Sequence, residues 1–287
     1  MDPPSFRAVL DKKDVNLPDD QADEWQKDRQ GCIVPAKLAT KYGWKLGDKV
    51  VIKGDIYPVD VELNVRGIYT GALSLDLATM QKRRASIVKS MTGGVAALLK
   101  AAGVTALQGH GKLLAGKRVE FTAHDGGRKE LVARHVVLAS GSVPMELKST
   151  PFDGRYIVDS WGALEFDAVP RRLGVIGAGV IGLELGSVWK RLGSEVVILE
   201  ALDEFLAMAD QQLAKEALRH FRKQGLDIRL GAKVAGASVA QDAVTVKFSG
   251  AQGEQSVVVD KLVVAIGRRP FTEGLLGEGT GVALDER

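Results

Sequence analysis

The sequence predicts an α/β protein centred on a parallel sheet, with a partial second α/β domain and a small β-rich segment at its N-terminus. Three observations carry this. Two short apolar runs, LGVIG and EVVILE, flank a glycine-studded stretch of helical length, as a strand–helix–strand unit requires. Glycine makes up 33 of 287 residues and aromatics only 6%, a balance suited to many tight strand–helix turns. The first 71 residues read differently: apolar and polar positions alternate there between Gly-Asp turns.

In chain order, the opening thirty residues are polar and acid-rich, with prolines at 3, 4 and 18. KYGWKLGDKVVIKGDIYPVDVELNVRGIYTG predicts three or four short antiparallel strands. ATMQKRRASIVKSMTGGVAALLKAAG, 78–103, predicts a helix interrupted at Gly93-Gly94 and ended by Gly103. Strands are expected at VTALQGHG, KRVEFTA and ARHVVLASGS, with HDGG as a hairpin turn. DSWGALEF reads as a short linking helix or turn. Residues 209–225 predict an amphipathic helix with Leu213, Ala217, Leu218 and Phe221 on one face and Gly225 as its cap. DIRLGAKV, AVTVKFSG and QSVVVDKLVVAIG supply the remaining strands.

Composition excludes several functions. The net charge is +3, and the basic runs Lys82-Arg83-Arg84 and Arg268-Arg269 do not merge into a stripe, so no nucleic-acid partner is expected. The four histidines lack metal-ligand spacing, so no metal site is expected. A single cysteine, Cys32, forms no intrachain disulfide. No apolar run is long enough to span a bilayer and no signal-peptide core opens the chain, so the expected address is cytoplasmic.

The chemistry concentrates in RRLGVIGAGVIGLELGSVWKRLGSEVVILE, 171–200. Gly177, Gly179 and Gly182 follow a strand and open a helix capped by Gly193, and Glu200 closes the next strand. Gly177 permits the sharp turn, Gly179 lets a pyrophosphate approach the backbone, and Gly182 lets helix and strand pack closely. The helix start offers unpaired N–H groups and partial positive charge to the phosphates. A carboxylate at Glu200 accepts both ribose hydroxyls and repels a 2′-phosphate. Ala201 and Leu202 follow it in place of arginines. The pattern predicts a Rossmann-type domain that binds NAD rather than NADP.

Residues 72–287 resemble the middle of a dihydrolipoamide dehydrogenase, a flavin- and NAD-dependent disulfide oxidoreductase. The matching stretches include MTGGVAALLKAAGVTALQGHGKLLAGKRVEF, VVLASGSVP, GVIGAGVIGLELGSVWKRLGSEVVILEALDEFL, KQGLDIRLGAKV and DKLVVAIGRRP. The resemblance implies a partial FAD-binding domain at 72–151, an NAD-binding domain at 152–271 and a truncated return to the FAD domain at 272–287. It places Gly177, Ala178, Gly179, Val180, Ile181, Gly182, Leu183, Glu184, Glu200, Val234 and Gly267 along NAD. It places Gly111 and the Ser140-Gly141-Ser142 turn near the adenosine half of FAD. Residues 1–71 resemble instead the extracytoplasmic domain of a macrolide-exporter-type ABC transporter permease. GCIVPAK, 31–37, also resembles the family's GCIPSK redox loop, but the residue five positions before Cys32 is Lys27 and the spacing to Lys37 is one too long.

The family's reaction passes electrons from dihydrolipoamide through a redox disulfide and FAD to NAD. The redox cysteine pair, the FAD pyrophosphate motif and the partner-subunit His–Glu pair have no counterpart in this sequence. The expectation is an NAD-binding module with weak or no turnover, no named catalytic residue, doubtful FAD retention and no family-type homodimer. The alternatives are an active dihydrolipoyl dehydrogenase and a non-enzymatic, transporter-associated binding protein.

Overall fold

The computed structural model describes residues 17–53, 60–70 and 75–285. The chain divides into two compact units, Met1–Thr92 and Gly93–Arg287, and the division falls inside one long helix.

In the first unit, α1 (Asp19–Lys27) leads to β1 (Gly31–Pro35), α2 (Ala36–Tyr42), β2 (Lys49–Lys53) and β3 (Asp60–Tyr69). The sheet order is β1-β3-β2. β2 pairs antiparallel with β3, but β1 runs parallel to it. The all-antiparallel expectation is corrected: the third strand comes from GCIVP, ahead of the alternating stretch, and α2 makes the crossover that a parallel pair requires. Residues 54–59 and 71 of that stretch lie outside the described residues. Val34, Ala39, Val50 and Val65 form the core, with Cys32, Trp44 and Ile68 packed against them. The Trp25 indole N–H donates to the Gly31 carbonyl at 3.1 Å and ties α1 to the sheet.

Asp28 locks this unit from outside the core. Its carboxylate accepts from Arg66 Nε at 2.7 Å, Asn64 Nδ2 at 2.9 Å and the Gln30 N–H at 2.9 Å. The bond from Arg66, followed by that from Asn64, lowers its pKa to about 2. A carboxyl whose folded pKa is depressed stabilises the fold above its unfolded pKa of about 4, and that contribution disappears as pH falls through the folded value. Asp28→Asn is therefore expected to flatten the acid-unfolding profile of this unit between about pH 4 and 2. Trp25 fluorescence followed through an acid titration checks this; identical profiles for the two proteins would remove Asp28 from that role.

Helix α3 (Leu77–Ala101) runs without a break. The interruption expected at Gly93-Gly94 is absent. Each glycine costs a helix about 1 kcal/mol but keeps its N–H, so the hydrogen-bond ladder passes through. The helix ends as expected on Gly103, at φ +70°. The Gly103 N–H reaches the Lys100 carbonyl at 3.0 Å and the Val104 N–H reaches that of Leu99 at 3.0 Å, which is a Schellman ending. Leu77 is its one buried residue, while Ile87, Val88, Met91, Val95, Leu98 and Leu99 face solvent.

The second unit opens with an antiparallel meander of β4 (Gly109–Leu114), β5 (Arg118–Ala123) and β6 (Arg128–Val132). The HDGG hairpin turn is where the sequence put it. Two strand expectations are corrected. VTALQGHG becomes a strand only from Gly109, and ARHVVLASGS forms none between Ala133 and Gly141, where Val137 is 87% exposed. Apolar runs of this kind form strands when neighbours take their N–H and C=O groups, and no described strand pairs with residues 104–108 or 133–141.

β7 (Ser142–Pro144) and β8 (Ile157–Val158) lead, through the Asp159-capped α4 (Ser160–Ala163), to the central sheet. There β9 (Arg172–Ile176), α5 (Val180–Arg191), β10 (Glu195–Leu199), α6 (Gln211–Lys223) and β11 (Asp227–Arg229) wind in one direction. The three-stranded meander β12 (Lys233–Ala240), β13 (Ala243–Gly250) and β14 (Gly253–Val259) then returns the chain to β15 (Lys261–Val264) and β16 (Arg268–Pro270). The parallel order is β11-β10-β9-β15-β8, so both DIRLGAKV and QSVVVDKLVVAIG, each expected as a single strand, split between two sheets.

Alternation along β10 fixes the layers. Val197 and Leu199 pack with Val244, Val246, Phe248 and Val259 of the meander. Val196 and Ile198 turn the other way, toward Gly186 of α5. With both faces covered, β9, β10 and β15 read as continuous buried apolar runs. α6 follows its predicted pattern except at Leu213, which is 70% exposed; the buried position is Ala214. The Asp210 carboxylate caps this helix by accepting from the Gln212 and Leu213 N–H groups, which fixes its start.

Candidate nucleotide-binding site

The chain reverses winding direction between β9 and β15, so their C-terminal ends form the switch point where open α/β sheets leave a crevice. The glycine turn lies there. Gly177 has φ +102°, and its N–H donates to the Leu199 carbonyl at 2.8 Å. A Cβ at Gly177 would stand 2.5 Å from the Ala265 carbonyl oxygen, so the loop after β15 backs directly onto the turn. A Cβ at Gly182 would stand 2.1 Å from the Gly177 oxygen, which only glycine allows.

Gly179 differs from both. It is the N-cap of α5, is exposed, and has nothing within 4 Å of where a Cβ would be. No side chain caps the helix. The open space and the uncapped N–H groups together fit a pyrophosphate. Lys190 and Arg191 occupy the last turn, where cations suit the opposite end of the helix dipole.

Glu200 is turned toward this loop. Its Oε2 accepts from the Ala178 N–H at 2.8 Å and its Oε1 from the Leu202 N–H at 2.9 Å. The structure thus brings Gly177, Ala178, Gly179, Gly182 and Glu200 together. Gly267, at φ +136°, follows β15 on the same edge, and its carbonyl accepts from the Met145 N–H at 3.0 Å. On α5, Val180 is exposed, Ile181 half-buried, Leu183 buried and Glu184 exposed. Val234 lies on β12, packed against the core cluster.

The residues expected near FAD lie on β4 and at the start of β7. Gly111 is exposed on β4. Ser140 donates through its hydroxyl to the Phe271 carbonyl at 2.6 Å, Gly141 accepts the Phe271 N–H at 3.0 Å, and the Ser142 hydroxyl accepts from Arg268 Nε at 2.8 Å. All four are exposed. Cys32 is half-buried in β1, and burial pushes its thiol pKa up, away from a reactive thiolate. Among the described residues no group of three or more His, Cys, Asp or Glu is arranged to hold a metal, and no helix is long and apolar enough to cross a membrane.

Sequence reasoning missed two parts of the site. One is the Ala265-Ile266 backbone behind Gly177, signalled only by the glycine that follows it. The other is the Arg229–Ala232 turn beside Glu200, signalled by Gly231. Two hollows, of about 400 and 210 Å³, are present: the first is lined by Arg229, Leu230 and Ala232 of that turn together with Phe248 and Gln255, the second sits at the starts of β9, β10 and β11. The switch-point crevice is the better nucleotide site, because ligands of such sheets bind at the carboxyl ends of the strands.

A sheet that reverses its winding beside a glycine turn defines the doubly wound, Rossmann class of nucleotide fold. Within that class, the chain belongs to the pyridine nucleotide-disulphide oxidoreductase family, whose model matches residues 38–287. It is 44% identical over 230 residues to a dihydrolipoyl dehydrogenase of Cupriavidus necator, covering 80% of this chain and 48% of that one. It is 38% identical over 226 residues to the human mitochondrial dihydrolipoyl dehydrogenase, covering 77% and 44%. Among solved structures, LpdA from Mycobacterium tuberculosis matches with a TM-score of 0.64 at 27% identity, over 71% of this chain and 45% of that one. The HOCl-induced flavoprotein disulfide reductase RclA from Escherichia coli matches at 0.63 and 27%, over 72% and 46%. The chain spans about half the length of the curated relatives it matches. The permease resemblance of residues 1–71 finds no support in these relatives, and the family match already begins inside that segment.

Proposed function

We propose that this chain is the NAD(H)-binding part of a dihydrolipoyl dehydrogenase-like oxidoreductase, and that its own residues support little or no turnover. The carboxylate of Glu200 carries the reading: it faces the glycine turn across a 2.8 Å bond, beside an uncapped helix start and the open space at Gly179. Gly177, Gly179 and the first N–H groups of α5 hold the pyrophosphate, and Glu200 takes the adenosine ribose. NAD, when bound, supplies a hydride acceptor. The family's disulfide step has no counterpart in these residues, because Cys32 is the sole cysteine and lies in a strand. Gly111, Ser140, Gly141 and Ser142, which the resemblance sets along the adenosine half of FAD, are exposed.

Purified protein titrated with NADH is expected to give a saturable fluorescence change, with a Kd between micromolar and millimolar, and weaker binding of NADPH. A linear, non-saturating response would end the proposal. A yellow protein that reduces NAD with dihydrolipoamide would favour the active-enzyme reading instead.

A further inference from the structure

We propose that Gly231 is a positioning residue: the turn between β11 and β12 sets the carboxylate that meets the adenosine ribose. The proposal rests on the nucleotide reading of the site. Four backbone and side-chain bonds connect the two. The Glu200 N–H donates to the Arg229 carbonyl at 2.9 Å, and the Ala232 N–H donates to the Glu200 carbonyl at 2.7 Å. The Gly231 N–H donates to the Leu202 carbonyl at 2.9 Å. The Leu202 N–H, one peptide earlier, holds Glu200 Oε1 at 2.9 Å. Gly231 therefore fixes the loop that presents the N–H steering the carboxylate.

The position disfavours any side chain through its backbone conformation. Gly231 has φ +64°, in the left-handed region that glycine enters without cost. A Cβ there would stand 2.6 Å from Asp203 Oδ1, on the residue next to Leu202. The exposed Asp203 carboxylate can swing aside, but the left-handed conformation at 231 stays strained with any side chain; as the turn relaxes, the 202–203 peptide held by the Gly231 N–H shifts and Glu200 loses its set orientation. Glu200 then accepts the ribose hydroxyls less well, and its charge also retreats from the position of a 2′-phosphate. The discrimination between NADH and NADPH narrows from both sides.

The test compares the parent protein, Gly231→Ala, Glu200→Ala and the double variant, each titrated with NADH and NADPH and each melted. Gly231→Ala is expected to weaken NADH binding about 3- to 10-fold and to reduce the NADH/NADPH preference. In the Glu200→Ala background the same substitution is expected to change the NADH Kd less than about 2-fold, because nothing is left to position. An undiminished loss in the Glu200→Ala background, or an unchanged NADH/NADPH preference, overturns the proposal. A parent protein that binds no NADH overturns the nucleotide reading, and this inference with it.

Discussion

Glu200→Ala is expected to weaken NADH binding about 10- to 100-fold while leaving NADPH binding little changed. A hydrogen bond to a charged group contributes about 1.5–3 kcal/mol, and every 1.4 kcal/mol is tenfold in Kd. In the proposed complex the carboxylate would accept two ribose hydroxyls, and it is held ready by the Ala178 and Leu202 N–H groups, so little ordering would be required on binding. Removing it also removes the charge that opposes a 2′-phosphate. The two affinities therefore converge, which separates a lost ribose contact from general damage to the fold. Glu200→Gln keeps the shape without the charge and should fall between. Equal losses for NADH and NADPH in the alanine variant would show that Glu200 acts on the fold and not on the ribose.

Gly182→Ala is expected to destabilise the second unit by about 2–4 kcal/mol and to abolish NADH binding. The added carbon would stand 2.1 Å from the Gly177 oxygen and 3.1 Å from Val175 Cγ1. The first neighbour is backbone, which cannot rotate away as a side-chain tip does. Helix α5 must lift off β9, and its N-terminal N–H groups leave the crevice with it. The melting temperature should fall by roughly 5–15 °C. Gly93→Ala is the control: nothing lies within 4 Å of that position, so binding should be unaffected. A Gly182→Ala protein that melts and binds like the parent would show that α5 and β9 are not packed this closely.

The central sheet was legible because its signals are local. LGVIG and EVVILE are short, apolar and bounded by glycine, and each becomes a strand buried on both faces. The turn between them was legible because three glycines meet three separate steric demands within six residues. Elsewhere the deciding partner is distant in sequence. GCIVP pairs with a strand some thirty positions later, and a five-residue run has no period from which to read that. ARHVVLASGS has the composition of a buried parallel strand, yet composition does not supply the neighbour that takes its hydrogen bonds. Gly231 marks a turn at 229–232, but its bearing on Glu200 was not legible for the same reason: it matters only because β11 lies beside β10, a fact of topology and not of either segment.

The apolar stripe exposed along α3 sets terms for handling the protein. Six large apolar side chains along one rod give every copy an adhesive flank, and its cost in free energy is relieved by meeting anything else that is greasy. Sulfate and phosphate strengthen such contacts, and low salt weakens them. The working concentration range, and the clarity of any binding curve measured within it, will therefore be governed by the buffer before the nucleotide is added.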